Sequence, residues 1–170
     1  MKIKIIGCRG KIKDKEEFIK KLKHFGKEKG IACQIMDASK IYGKEHIISA
    51  VEHAVRAFEN RTNSCRTLDL EILLYASGKR QIKDAIDFMG AGDGEEFIFV
   101  AVGDRGIEEE YEVAIKFLEE KGFEIDDEII RGNEETLKKF GISEEEIKSV
   151  DKSMYGDLIL EKVAMVDVIK

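Results

Sequence analysis

A chain of 170 residues, 43% hydrophobic and 38% charged, with a net charge of -6, has room for one packed core and no apolar run long enough for a membrane span. Its three cysteines, Cys8, Cys33 and Cys65, stand far apart with no Cys-x-x-Cys pair. That odd, unspaced set argues against a disulfide framework and a zinc site, and suits a reducing compartment.

In chain order, Lys2 to Cys8 reads as a strand, with Ile3 and Ile5 alternating against lysines. The opening MKIKIIGCRGKIKDK is too short and too polar for a secretion signal, so the expectation is a cytoplasmic chain. Asp14 can cap a helix carrying Phe18, Ile19, Leu22 and Phe25, which Gly30 would end. Ile31 to Met36 reads as a second strand, and Lys44 to Glu59 as a helix with Ile47, Val51, Ala54 and Phe58 on one side. A polar loop, Asn60 to Thr67, leads into a helix capped by Thr67 or Asp69. This helix holds the run LEILLYASGKRQI, which breaks at Gly78 and restarts near Gln81 for a short helix to Met89.

Glu96 to Val102, EFIFVAV, is continuously apolar and reads as a strand buried on both faces. Asp104 to Gly122 predicts an amphipathic helix, and the last third predicts short helices with Ile147, Val150, Met154, Leu158 and Ile159 as apolar positions. With no repeat, linker or low-complexity tract, the expected architecture is α/β (α+β): one domain over residues 1–170, a small sheet and several packed helices. The charge is uneven: residues 1–55 carry +6, residues 56–83 carry +3 and residues 84–170 carry -15. Such asymmetry makes one side a candidate nucleic-acid face, although lysines alternating with an apolar stripe also serve simply to solvate a helix.

The familiar catalytic signatures are missing. Around Gly78-Lys79, Leu73 stands where a phosphate loop needs its first glycine, Arg80 where it needs a hydroxyl, and the segment follows a helix instead of a strand. Gly90 to Gly94 precedes a strand, so it offers no helix N-terminus to a pyrophosphate and reads as a helix end and loop. His46 and His53 are two helical turns apart, roughly 10 Å, too far to share a metal. Ser77 lacks a nucleophile elbow, and Asp69 and Glu71 face different ways on their helix. These absences favour a binding or regulatory protein without catalytic residues, metal or cofactor.

The order Asp37-Ala38, Gly43-Lys44-Glu45-His46-Ile47, Ala50, Ala54, Ala57-Phe58, Arg66, Glu71-Ile72-Leu73-Leu74-Tyr75, Ser77-Gly78-Lys79-Arg80-Gln81-Ile82 and Ala85-Ile86 resembles one family. It is similar to the small non-catalytic subunit of the KEOPS/EKC complex, the family of the human PRPK-binding protein. Glu161-Lys162-Val163-Ala164 with a short apolar end fits the same resemblance, which spans nearly the whole chain and is most specific over residues 43–90. Ala76, where a second leucine is common, and Cys65 depart from the pattern. The resemblance implies a non-enzymatic regulatory subunit that binds the kinase-like ATPase subunit of the complex. It also implies a grip on the single-stranded 3′ CCA end of tRNA, in support of threonylcarbamoyl-adenosine (t6A) modification. The alternative within the family's frame is a scaffold that binds only the kinase-like subunit and touches no RNA.

The residues can be weighed against that task. A single-stranded end offers phosphates and unstacked bases, so a binder needs cations, polar groups for base edges and an apolar platform. Arg61 and Arg66 in the polar loop, and Ser77, Gly78, Lys79, Arg80 and Gln81 at the helix break, are the candidate tRNA-binding residues. Gly78 as a helix cap with Lys79 and Arg80 beside the helix dipole is the structural alternative, and both can hold together. For the kinase-like partner the candidates are Met154, Tyr155, Leu158 and Ile159, which could equally be ordinary core.

Overall fold

Strand β1 (Lys2–Arg9) supplies the alternation seen in the sequence, and helix α1 (Lys15–Lys29) starts where Asp14 accepts the Glu17 N–H and ends at Gly30 in the left-handed conformation. Then come β2 (Ala32–Asp37), α2 (Gly43–Glu59), α3 (Leu68–Ser77), α4 (Ile82–Met89) and β3 (Glu96–Gly103). The C-terminal portion adds α5 (Ile107–Glu120), β4 (Glu124–Ile125), α6 (Glu134–Phe140), α7 (Glu144–Lys148) and α8 (Tyr155–Ile169). This computed structural model describes residues 1–104 and 107–170. The beginning of the helix expected from Asp104 falls partly outside the described residues.

The fold is mixed α/β, an antiparallel sheet of order β2-β3-β1-β4 between two helical layers. On the central strand β3, Ile98, Val100 and Val102 pack with α2, α3, α4, α6 and α8, while Phe97, Phe99 and Ala101 pack with α1 and α5. That two-sided burial is why EFIFVAV shows no alternation, and an antiparallel strand achieves it because helices cover both faces.

Strand β2 lies at the sheet edge and is closed by a side chain. Buried Gln34 accepts the Ile35 N–H at 3.0 Å and donates from Nε2 to the Asp69 carbonyl at 3.1 Å, which ties the edge to α3. Two features differ from the sequence expectation. The two-residue β4 carries too short a pattern to register, and the last third contains, besides short α6 and α7, the long helix α8.

Candidate nucleic-acid interface at the break between two helices

The break in LEILLYASGKRQI is built by local backbone chemistry. Ser77 is buried; its Oγ donates to the Leu74 carbonyl at 2.8 Å and accepts the Lys79 N–H at 3.1 Å. Gly78 takes φ 68°, the left-handed conformation that glycine adopts without a Cβ penalty, and its N–H bonds the Tyr75 carbonyl. A Cβ here would also meet Phe140 at 3.3 Å and Lys162 at 3.6 Å. The joint is thus pressed against α6 and α8.

His46, buried near the start of α2, brackets the joint from behind. Its Nδ1 accepts the Tyr42 N–H at 3.0 Å, so its proton resides on Nε2, 2.8 Å from the Ala76 carbonyl. Burial drives its pKa down to about 4 against the raising effect of the Ala76 bond, and the ring is neutral at pH 7. Phe140 meets His46 edge-on at 5.6 Å and Phe88 at 5.7 Å.

On the outer side, Lys79 Nζ lies 4.3 Å from the centroid of the half-buried Phe88 ring, and Lys40 Nζ lies at the same distance while also donating to the Phe88 carbonyl. Arg80 and Gln81 are exposed, and among the described residues their side chains make no hydrogen bond or ion pair. Gln81 is the residue that precedes α4, and no side chain caps the amides of that helix's first turn. Asp84 sits in the same turn and offsets part of the positive charge. The joint therefore presents two cations, an amide side chain, free backbone donors and an aromatic ring. Lys40 and Phe140 join the site from other elements and Phe88 from the last turn of α4, and nothing in the local sequence signals that they meet there.

Arg61 and Arg66 lie elsewhere. His46 joins the start of α2 to the end of α3, so the two helices run antiparallel. The loop after α2 lies at the other end of α3, roughly 15 Å from the joint for ten residues of helix. Both arginines are exposed, and Arg61 holds φ 60°, uncommon outside glycine. Their loop is fixed by Glu71, whose carboxylate accepts the Cys65 N–H at 2.8 Å, the Ser64 N–H at 3.1 Å and Lys170 Nζ at 2.9 Å. Burial alone would raise the Glu71 carboxyl, but these bonds outweigh it and hold the group below the usual carboxylate range. Next to it, Tyr75 donates to Asp167, and Asp167 meets His53 Nδ1 at 2.9 Å, which ties α2, α3 and α8 together. Burial pushes the Cys8 and Cys65 thiols up to about 12, so both are protonated and unreactive at neutral pH. Among the described residues no set of three or more His, Cys, Asp and Glu side chains could hold a metal, and no helix is long and apolar enough to cross a membrane.

The candidates for a protein partner divide. Leu158 and Ile159 are core residues, 7% and 0% exposed, on the inner face of α8, and so present no surface to a partner. Met154 is exposed and Tyr155 half-buried. The outer face of α8 instead exposes Met165, Val168 and Ile169, with Val168 at 74%.

Comparison with known proteins gives a family match over nearly all of this chain. A family model described as "Kinase binding protein CGI-121" matches residues 10–167. The chain is 30% identical over 141 residues to the regulatory protein Cgi121 of Methanocaldococcus jannaschii, covering 83% of this chain and 87% of that one. It is 42% identical over 66 residues to the KEOPS complex subunit Cgi121 of Pyrococcus abyssi, covering 39% of this chain and 37% of that one.

Proposed function

The chain belongs to the CGI-121 family of kinase-binding proteins, and on that premise we propose that it is a non-enzymatic regulatory subunit of a KEOPS complex. It binds the kinase-like ATPase subunit and holds the single-stranded 3′ CCA end of tRNA, in support of t6A modification. The observation that carries the RNA reading is the pair Arg80 and Gln81, unpartnered among the described residues and set at the uncapped start of α4. Arg80 can pair with a phosphate, Gln81 can read a base edge as donor and acceptor, and backbone amides add to the anion's field. The half-buried Phe88 ring, flanked by Lys79 and Lys40, supplies an apolar surface next to Lys79.

Equilibrium binding to tRNA with and without its 3′ tail tests this. Intact tRNA binds on the order of tenfold more tightly than trimmed tRNA, and Arg80→Glu removes that difference. Equal binding of both RNAs by the unmodified chain contradicts the tail assignment.

The exposed Met165, Val168 and Ile169 favour a second reading, a scaffold that engages only the kinase-like subunit through α8. Val168→Asp leaves folding stability within about 0.5 kcal/mol, because the side chain is exposed, and weakens binding to the kinase-like subunit on the order of tenfold. Binding to that subunit without any tRNA binding selects the scaffold.

A further inference from the structure

The loop before α1 and α1 itself carry eight lysines within residues 11–29, against four acidic residues. Some have local employment: Lys11 pairs with Glu95, Lys15 with Asp93 and Lys21 with Glu17, and Lys27 and Lys29 sit in the last turn, where they complement the helix dipole. Lys13, Lys20 and Lys23 are exposed and have no ion pair among the described residues. Exposed pairs such as Lys11–Glu95 and Lys15–Asp93 are worth little and exchange readily for another anion.

These lysines line two concavities, one on each flank of α1. The first, about 390 Å³, runs between α1, the start of α3 and the end of α4; Lys15, Lys20 and Lys23 edge an apolar floor that includes Leu70 and Ile86. Glu16 and Asp69 are the acidic residues on its rim. The second, about 460 Å³, gathers Lys11, Lys13 and Lys21 with Lys121 from beyond α5. Its two acids are engaged, since Glu17 lies 2.7 Å from Lys21 and Asp14 caps α1. Positive charge from three segments thus converges around one helix.

We infer that the outer face of α1 is a contact surface for the phosphodiester backbone of folded RNA, distinct from the α3–α4 joint. The charges are exposed and on flexible stems. They spread from the loop at Lys13 along roughly 12 Å of helix between Lys15 and Lys23, which suits a row of phosphates better than one small anion. The first groove runs from α1 to the start of α3 and the far half of α4, the helix that follows Gln81, so an RNA held by its tail at the joint can lay its body along α1. The inference rests on the reading that the joint holds an RNA tail. Contacts of this kind position a nucleic acid without reading its sequence.

The test measures binding of the full chain to intact and tail-trimmed tRNA across a salt series, with the double variant Lys20→Gln/Lys23→Gln. Neither lysine supports the fold, and an unchanged Tm checks this. The surface predicts that the double variant weakens both RNAs by the same factor, on the order of tenfold. It also lowers the slope of log affinity against log salt by about 2. Unchanged affinity and slope overturn the inference, and show that the lysines serve solvation or an acidic protein surface instead. The two readings fail differently. The tail assignment fails when intact and trimmed RNA bind alike, and the α1 surface fails when the double variant binds as well as the unmodified chain.

Discussion

His46 joins three parts of the molecule through one neutral ring: the Tyr42 N–H, the Ala76 carbonyl and the edge of Phe140. Its folded pKa, about 4, lies below the ordinary 6.5, so between these values the unfolded chain binds a proton that the folded chain refuses. Stability is therefore full above pH 6.5 and falls as pH drops toward 4. At 1.36 kcal/mol per pKa unit, His46 lowers folding stability by about 2 kcal/mol between pH 7 and pH 5. Urea unfolding at the two pH values measures the loss, and His46→Gln, which has no proton to gain, flattens that part of the profile. A histidine at this spacing reads from sequence as core or partly buried, and His46 is core. That it supports the carbonyl just before Ser77 needed the antiparallel pairing of α2 with α3, a contact across 30 residues that no local pattern encodes.

At the scale of elements, the α3–α4 break depends on Gly78 twice, through its left-handed backbone and through the absent Cβ facing Phe140 and Lys162. Gly78→Ala costs about 1–2 kcal/mol, seen as a Tm lower by several degrees, and lowers affinity for tail-bearing RNA by shifting Lys79 and Arg80. An unchanged Tm would show that the joint has room to relax. The helix ends were legible because Asp14, Gly30 and Gly78 act through bonds within a few residues. Helix α8 was harder. Leu158, Ile159, Val163 and Val166 are buried, while Met165, Val168 and Ile169 are exposed, so apolar residues occupy both sides. Composition cannot tell which side faces the core, so the sequence leaves Leu158 and Ile159 open between partner contact and core, and the structure buries both.

Across the whole molecule, the sheet separates two layers with different surfaces. Helices α1 and α5 cover one face, and the lysine-rich surface of α1 turns from there toward the groove beside α4. The opposite layer holds the joint, the Glu71–Lys170 pair and the apolar outer face of α8. The uneven charge of the sequence does not reveal how the candidate cations divide in space, because Arg61 and Arg66 are near the joint in sequence and a helix length away from it in the fold. Lys40 reaches Phe88 of α4 across 48 residues of chain, so only the fold brings them together. Holding the single-stranded end of an RNA is the role proposed for the joint itself. The most direct measurement is a heteronuclear NMR titration of the chain with a short oligonucleotide ending in CCA. The account predicts that the backbone amides of Lys79 to Lys83 and the Gln81 side-chain amide shift together and saturate at one ligand per chain. Saturating shifts located elsewhere, with those amides unmoved, would contradict it.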